Sequence, residues 1–507
     1  MQHQPDGSER SLHDKTVSGL LWSALSRVGQ QAVQFAIAIL LARMLTPEEF
    51  GLIAMITVFT GFAAFFSEMG FGAAIIQRQD IEQRHLSSIF WLNVAAGLIL
   101  TAIVMALAPF IGYFYGNPIL IPLTLAISLN FAIGSLKVVQ NALITKNLDF
   151  KRMTTIEILA ISVAGAIAAG MAIKGFGPWS LVANSLSATI VSVAAIWYVS
   201  DWRPQFVWDW RAIKELLGFS ANLTGGRVIN YWTQNIDNML IGRYLGAIPL
   251  GAYDRAFGLM MRPQYEVAAV LSNVMFPALS IIQNDKRRIK EIVLKAGRAI
   301  ALVTFPMMMG LLVVARPFVL TLYGEKWEGA ILILQIFCLD GMGRSLWSTA
   351  GWIYLTQART DLLFRWLLLA GVVKIASIII GLHWGAVGVA AAIVLSGYII
   401  LWYPSWAIPG RLIDLTFREV LRNVAPIFSC SAAMALAVAL VGLLLPTMWP
   451  PWARLAAQVP LGMALYTILL RSFRIQAYSE AKKLAIEQWN MRYKARGVAV
   501  IEQDQIH

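Results

Sequence analysis

The chain has 507 residues, of which 58% are hydrophobic and only 14% are charged, and its mean hydropathy is +0.65. Soluble domains carry about 25% charged residues, so this composition excludes a soluble protein with a single anchor and indicates a polytopic membrane protein. The net charge of +13 does not indicate nucleic-acid binding, because the basic residues lie in short connections between apolar runs. Cys338 and Cys430 lie in apolar runs, so we expect neither disulfides, a metal cluster nor a cofactor.

Apolar segments follow one another along almost the whole chain. Fourteen of them are long enough to span a membrane, at roughly 20 residues per crossing. The predicted fold class is therefore an all-α polytopic membrane protein with about 14 transmembrane helices. The predicted segments are 17–42, 49–69, 87–114, 118–144, 154–174, 179–200, 216–241, 249–281, 293–317, 329–355, 361–381, 384–406, 421–445 and 452–471.

Lys and Arg are distributed unequally between the two sets of connections. Both terminal tails and the connections on their side hold 27 of these residues, against six on the opposite side. Because positive charge favours the cytoplasmic side, we predict that both termini are cytoplasmic. The opposite connections are short, which argues against a membrane polymerase or ligase with an outer catalytic loop. The chain contains no P-loop, so direct use of ATP is not expected.

The sequence contains an internal repeat whose two copies lie 200 residues apart. Residues 23–51 (SALSRVGQQAVQFAIAILLARMLTPEEFG) align without a gap to 223–251 (LTGGRVINYWTQNIDNMLIGRYLGAIPLG). The identical pairs are Arg27/Arg227, Val28/Val228, Gln34/Gln234, Leu40/Leu240, Arg43/Arg243, Leu45/Leu245 and Gly51/Gly251. The copies begin in the first and seventh predicted helices, six helices apart, so both copies run in the same direction across the membrane. This favours two six-helix lobes in parallel repeat, an arrangement common in transporters.

The predicted domain organisation follows from the repeat. It consists of a cytoplasmic tail at 1–16, an N-lobe at 17–200, a cytoplasmic linker at 201–215, a C-lobe at 216–406, two further helices within 421–471, and a cytoplasmic tail at 472–507.

Several basic residues fall inside the predicted spans. A charge in the middle of a membrane helix costs from about 2.5 to over 10 kcal/mol, so it must face a wet cavity or a partner. Arg27 lies ten residues into the first predicted helix, about 15 Å along it, and Arg227 lies similarly in the seventh. The basic residues within the spans are Arg27, Lys137, Arg227, Arg255, Arg262, Arg298, Arg344 and Lys374.

Polar residues in three predicted helices fall on single stripes. These are Arg27, Gln30, Gln31 and Gln34 in the first helix, Arg227, Asn230, Gln234 and Asn238 in the seventh, and Arg255, Arg262, Glu266 and Asn273 in the eighth. A helix with one polar stripe turns that stripe away from lipid, so these helices, with Arg344 on the tenth, are predicted to line a polar cavity. The first helix has no acid of its own, so Arg27 needs an acid from another helix or an anion.

Acidic residues within the spans leave a second interpretation open. They are Glu68, Glu157, Asp237, Asp254, Glu266 and Asp340. Asp340 and Arg344 stand four residues apart on one predicted helix, the spacing of an ion pair. Each buried basic residue is therefore either a member of such a pair or a contact for an anionic substrate. Arg298, close to a helix end, is more consistent with an interfacial position. Asp237, Asp254 and Glu266 are the candidate ion-coupling residues.

Four stretches of the chain carry a resemblance to a known family. They are ARMLTPEEFG at 42–51, FGAAIIQR at 71–78, GFGPWSLV at 175–182 and NIDNMLIGRYLGAIPLGAYDRA at 235–256. In these stretches the chain resembles the polysaccharide transporter family, a branch of the multidrug, oligosaccharidyl-lipid and polysaccharide exporter superfamily, and in particular its colanic-acid-exporter-like members. The resemblance covers essentially the whole chain.

The resemblance implies a function in the bacterial cytoplasmic membrane. Members of the family flip undecaprenyl-diphosphate-linked oligosaccharide to the outer leaflet by alternating access, with no enzymatic step. A polysaccharide polymerase and a chain-length regulator are the partners it suggests besides the lipid bilayer and the lipid-linked glycan; nucleic acid is not among them. The essential cations of related flippases correspond here to Arg27 and Arg227, and after them to Arg255, Arg262 and Arg344, with Gln34 and Gln234 beside them. The alternative is an ion-coupled multidrug-type antiporter of the same superfamily.

Overall fold

The structure is a computed structural model that describes residues 29–67, 72, 75–76, 81–147, 149–210, 231–446, 448–475 and 478–480, with side chains left aside at 263–274 and 276–278. Every regular element in these residues is helical, in agreement with the predicted all-α class. Contacts divide the chain into two compact units, Met1–Asp254 and Arg255–His507. The predicted boundaries of the lobes and tails stay predictions.

The helices of the first unit are joined mostly by tight connections. They are α1 at 29–44, α2 at Pro47–Ser67, α3 at Gln83–Tyr115, α4 at Leu120–Ser135, α5 at Val138–Lys146, α6 at Phe150–Ile173, α7 at Trp179–Val199 and α8 at 231–245. Helix α9, Ala247–Ile281, contains the boundary between the units. The principal packing pairs are α3 with α4, α6 with α7, and α4 with α7.

The second unit is built around a long helix. After α9 come α10 at Lys286–Leu322, α11 at Gly329–Thr356, α12 at Thr360–Gly381, α13 at Gly385–Ser396, α14 at Trp402–Gly410, α15 at Phe417–Leu444 and α16 at Pro451–Ser472. Helix α10 packs against α11, α15 and α16. Its start at Lys286 lies seven residues before the predicted segment 293–317, in a stretch that we predicted to be a connection.

Among the described residues, nine helices are long and apolar enough to cross a membrane, or ten when the bent pair α4 and α5 is counted as one span. One of the nine, at 360–410, is too long for a single crossing of about 30 Å. The chain reverses at Gly385, where φ is +72°, and α12 packs back against α13. The stretch therefore folds as two successive helical parts, which begin close to the predicted segments 361–381 and 384–406. The total of fourteen stays a prediction.

The sequence TPEE fixes the start of α2. The backbone nitrogen and hydroxyl of Thr46 donate to the Glu49 carboxylate at 2.6 and 3.1 Å, and the Glu49 backbone nitrogen donates back to the Thr46 hydroxyl at 3.4 Å. This is a capping box with proline at the first helical position. Gly177, at φ +57°, lies so close that a Cβ there would stand 2.8 Å from the Glu49 carboxylate. Two of the family stretches therefore meet in the first unit.

The predicted helix at 118–144 is broken. Helices α4 and α5 meet at Leu136 and Lys137 with a bend of 47°. The backbone nitrogens of these two residues donate to carbonyls only three residues back, at Ile133 and Gly134, at 3.2 Å each. The break follows directly after a Gly–Ser pair, a frequent cause of sharp kinks in helices.

Candidate functional site

Arg27 and Arg227, the matched arginines of the repeat, lie outside the described residues. The side chain of Glu266, a candidate ion-coupling acid, also lies outside the described residues. Gln34 and Gln234, which accompany the arginines in the repeat, are both exposed side chains, on α1 and α8. Their roles, like those of the arginines, stay predictions.

A buried carboxylate within α8 is hydrogen-bonded to a side chain of α9. Asp237 is only 4% exposed. Its Oδ2 accepts a hydrogen bond from the Tyr253 hydroxyl at 3.0 Å, and its Oδ1 accepts one from the backbone nitrogen of Asn238 at 3.1 Å. The side-chain amide of Asn238 stands 3.5 Å from Asp254 Oδ1. Two of the three candidate ion-coupling acids therefore belong to one polar cluster in the first unit.

In the second unit, Arg344 contacts an acid of its own helix. Arg344 Nε donates to Asp340 Oδ2, one turn earlier on α11. The Asp340 side chain is 6% exposed and that of Arg344 is 27% exposed. The Arg344 guanidinium also lies 5.6 Å from the ring centroid of Phe257, a distance at which a cation is attracted by the ring face. The structure thus shows the ion pair that the spacing of four residues allowed.

The aromatic residue Tyr398 extends the same cluster. Its hydroxyl donates to the Leu339 carbonyl at 2.6 Å. Tyr398 belongs to a π-helical turn, Gly397–Leu401, inserted between α13 and α14. Such turns are rare and are often found at functional sites. They widen a helix locally and redirect the side chains that follow.

Two other predicted arginines share one helix face. Arg255 and Arg262 are seven residues apart on α9 and are both half-buried. Arg298 on α10 stands 3.9 Å from Glu480, an acid within the predicted C-terminal tail.

A further polar cluster lies in the first unit. Lys137, at the break between α4 and α5, donates to Ser192 on α7 at 3.0 Å. Glu157 on α6 lines one small cavity together with Lys137, Asn141 and Ser192. The sequence signal was a lysine two residues after a Gly–Ser pair in an apolar run, followed by an acid in the next predicted span. The described residues contain no group of three or more His, Cys, Asp or Glu arranged to hold a metal.

The two glycines of the repeat lie in close contact in the first unit. A Cβ at Gly51 would overlap the carbonyl oxygen of Ala247, and a Cβ at Gly251 would overlap that of Pro47. Each glycine therefore packs against the first residue of the other helix, α9 or α2. Because 47 pairs with 247 in the same register as 51 with 251, the contact is nearly two-fold symmetric.

Comparisons with known proteins decide the family. A family model described as polysaccharide biosynthesis protein matches residues 40–332. The teichuronic acid biosynthesis protein TuaB of Bacillus subtilis is 30% identical over 484 residues, which cover 93% of this chain and 98% of that protein. The chain belongs to this polysaccharide biosynthesis family.

A second relative and a solved structure agree with that assignment. The lipopolysaccharide biosynthesis protein WzxC of Escherichia coli is 30% identical over 395 residues, covering 76% of this chain and 79% of that protein. The resemblance to polysaccharide transporters is thereby confirmed. The lipid II flippase MurJ in an inward closed conformation superposes with a TM-score of 0.71 at 17% identity, over 89% of this chain and 98% of that one. At this identity the likeness concerns the fold, and it confirms the transporter-type helical architecture of the family member.

Proposed function

We propose that the protein translocates undecaprenyl-diphosphate-linked oligosaccharide repeat units across the bacterial cytoplasmic membrane, for the synthesis of an exopolysaccharide or other surface polysaccharide. The observation that carries the proposal is the similarity to a teichuronic acid biosynthesis protein over almost the full length of both chains. The shared fold with a lipid II flippase supports it, because lipid II is the named cargo of that protein. The activity is transport, with no covalent change to the glycan.

The diphosphate of the cargo needs cationic contacts in an otherwise apolar environment. Arg27 and Arg227 are the proposed contacts, because the guanidinium group binds phosphate oxygens in bidentate fashion. Arg255 and Arg262, on one face of α9, are proposed as further contacts for the diphosphate. Gln34 and Gln234 would donate hydrogen bonds to the sugar or phosphate. Each of these contacts with the diphosphate or the sugar is expected to be stronger in the conformation that translocates the cargo.

Arg344 is a different case because its charge is already balanced by Asp340. To bind a phosphate it would have to exchange that partner for the substrate. Its 27% exposed side chain leaves part of the guanidinium accessible. We therefore propose a switching role, in which the substrate competes with Asp340 for the arginine.

Transport in this family member is proposed to occur by alternating access, driven by an ion gradient because the sequence has no nucleotide-binding P-loop. Asp237, Asp254 and Glu266 are the proposed ion-coupling acids. Both termini are proposed to lie in the cytoplasm. A polysaccharide polymerase and a chain-length regulator, acting on the outer side, would consume the translocated units.

An ion-coupled multidrug-type antiporter is the second candidate function. The observation in its favour is Asp237, a carboxylate that is 4% exposed and lies within the second copy of the repeat. An acid in such a position would attract a cationic drug as well as a coupling ion. In that case the basic residues of the repeat would have structural roles.

The two functions are separated by removing the protein from its host. The flippase proposal predicts accumulation of an undecaprenyl-diphosphate-linked glycan and loss of the corresponding surface polysaccharide, both reversed by the intact gene. Lipid extracts analysed by mass spectrometry measure the first effect and also identify the sugars. Unchanged lipid-linked glycans, together with increased sensitivity to cationic drugs, would contradict the flippase proposal and support the antiporter.

A further inference from the structure

The segment that follows α7 is not helical and lies along the start of α3. It comprises residues 201–209, which we call the strap. Two fully buried serines of α3 hold its backbone. Ser87 Oγ accepts a hydrogen bond from the backbone nitrogen of Gln205 at 3.0 Å, and Ser88 Oγ accepts one from that of Asp209 at 2.8 Å. The strap is therefore a fixed part of the first unit.

Side chains at the beginning of the strap extend this contact. The Trp202 indole donates to Gln83 Oε1 at 2.6 Å, and Gln83 Nε2 donates to the carbonyl of Arg203 at 2.8 Å. The indole of Trp91, on α3, donates to the carbonyl of Gln205 at 2.9 Å. Irregular backbone close to lipid is tolerated only where protein groups satisfy its hydrogen bonds. The bonds to Arg203 and Gln205 meet this requirement.

The strap also carries large aromatic residues that the rest of the protein leaves uncovered. Phe206 is 92% exposed, and Trp208 and the following Trp210 are each more than half exposed. The Phe206 ring stacks on Trp91 of α3, with 4.9 Å between the ring centroids. Tryptophan is enriched where a membrane meets water, because its ring is apolar and its N–H can still be hydrated. The exposed rings are thus suited to a membrane surface.

The lengths of two helices indicate the depth of the strap. Helix α3 has 33 residues, about 50 Å, and when centred extends about 10 Å beyond each side of a 30 Å hydrocarbon core. Trp91, which carries Phe206, lies eight residues after Gln83, about 12 Å from the helix start. Helix α7 has 21 residues, about 30 Å, and the strap begins two residues after its end at Val199. Both lengths put the strap at the boundary between headgroups and acyl chains.

We propose that the strap is an interfacial anchor, in which Phe206, Trp208 and Trp210 bind the boundary between headgroups and acyl chains of one phospholipid leaflet. The leaflet is the one on the side predicted to be cytoplasmic. The sequence predicts a cytoplasmic linker at 201–215, and the strap is the part of that linker which the lipid surface holds.

The position of the strap favours lipid over a soluble protein as the binding partner. A soluble protein would have to displace headgroups to reach a ring that stacks on Trp91. The basic residue Arg203 donates to the carbonyls of Trp197 and Ser200, so its charge stabilises the end of α7. Apolar contacts of the aromatic rings are then expected to dominate. The anchor should bind zwitterionic and anionic phospholipids alike.

Spin-label accessibility measures the depth of the strap. The full-length chain, with Cys338 and Cys430 replaced by alanine, is reconstituted in phosphatidylcholine vesicles with and without phosphatidylglycerol. One label at a time is placed at Phe206→Cys, at Leu98→Cys within α3, or at Asn147→Cys after α5; all three native residues are exposed. The label at 98 is the reference for lipid, and the label at 147 is the reference for water.

We expect oxygen to relax the labels at 206 and 98, and a water-soluble nickel chelate to relax the label at 206 several-fold less than the label at 147. The result should be the same in both lipid mixtures. Equal relaxation by nickel at 206 and 147 would overturn the proposal. A label at 206 that enters the membrane only with phosphatidylglycerol would overturn the apolar basis of the anchor.

Photocrosslinking tests the same contact without replacing the cysteines. Benzoylphenylalanine is introduced at Phe206, Leu98 or Asn147 of the full-length chain in cell membranes, and the irradiated protein is weighed by mass spectrometry. We expect adducts of one phospholipid at 206 and 98 and none at 147. Crosslinks from 206 to another protein, or lipid adducts at 98 without any at 206, would contradict the anchor. Neither measurement uses the glycan, so the outcome is independent of the proposed transport.

Discussion

Gly51 and Gly251 pack against each other's helix at corresponding places, 200 residues apart in the chain. Gly51 lies against the carbonyl of Ala247, the first residue of α9, and Gly251 lies against the carbonyl of Pro47, the first residue of α2. Even the backbone nitrogen of Gly51 would be only 3.0 Å from a Cβ at Gly251. The symmetric contact explains why both copies of the repeat end in glycine. Backbones that approach this closely leave no space for a side chain.

Alanine at either glycine should force the two helices apart. We expect Gly51→Ala and Gly251→Ala each to destabilise the protein by about 1–3 kcal/mol, as overpacking of a tight contact does. The measurement is the melting temperature of the purified protein in detergent. Gly170→Ala is the control, since Gly170 lies within α6 with no atom within 4 Å of a Cβ. An unchanged melting temperature in both variants would contradict the contact.

The start of α2 and the ion pair on α11 could be predicted from the sequence in physical terms. Thr46 and Glu49 have the spacing of a capping box, and their side chains make its hydrogen bonds. Asp340 and Arg344 were four residues apart, the spacing that brings side chains together on a helix. Local spacing was sufficient in each of these cases.

Contacts between distant parts of the chain could not be predicted in the same way. The break at Leu136 was missed because the segment 118–144 has no charged residue before Lys137 and no proline after Pro122. Its stabilisation by the Trp197 indole, which donates to the Leu136 carbonyl at 2.8 Å, depends on how α7 packs, which hydropathy does not report. The neighbour of Arg298 is Glu480, from the far end of the chain. Such pairs follow from the tertiary fold, and a single sequence has no local signal for them.

The pairing of Asp340 with Arg344 can be measured by a double-mutant cycle. We expect Asp340→Asn and Arg344→Gln each to destabilise the protein by about 1–3 kcal/mol, because each leaves a partly buried charge without its partner. The double variant should be less destabilised than the sum, with a coupling energy above about 0.5 kcal/mol. The exposed pair Arg287 and Glu291 is the control, where coupling should be close to zero. Strict additivity at 340 and 344 would contradict the pairing.

The same variants show whether Arg344 also contacts substrate. If its role is solely structural, polysaccharide export should recover in the double variant together with stability. If the arginine exchanges Asp340 for phosphate, export should remain lost although the protein is stable. Surface polysaccharide measured at equal protein level in the membrane distinguishes these outcomes.

Tyr253 should be required to keep Asp237 in place. Removing its hydroxyl with Tyr253→Phe leaves Asp237 Oδ2 without the donor that stands at 3.0 Å, and we expect a loss of about 1–3 kcal/mol in unfolding free energy. Tyr244→Phe is the control, because Tyr244 is 69% exposed. Equal melting temperatures for the two variants would contradict a structural role for the Tyr253 hydroxyl.

Arg27 and Arg227 are predicted to bind the diphosphate of the cargo. Arg27→Ala and Arg227→Ala should each abolish export while the protein still inserts in the membrane. Lysine should restore only part of the activity, because it keeps the charge but lacks the planar fork of the guanidinium. The matched controls are Arg43→Ala and Arg243→Ala, exposed arginines of the same repeat, which should keep export. Normal export with alanine at both 27 and 227 would remove the anion-site hypothesis.

Crosslinking the two copies of the repeat tests alternating access. Leu45 and Leu245 precede α2 and α9, whose first residues form the symmetric glycine contact. If the ends of the repeats separate when the carrier opens to the outside, a disulfide between cysteines at 45 and 245 should hold it closed there and stop export. Reduction should restore export, and each single cysteine variant should export normally under oxidising conditions. Full export with the crosslink formed would mean that this contact stays together throughout the cycle, and the cargo would have to pass by a route that does not require these helix ends to part.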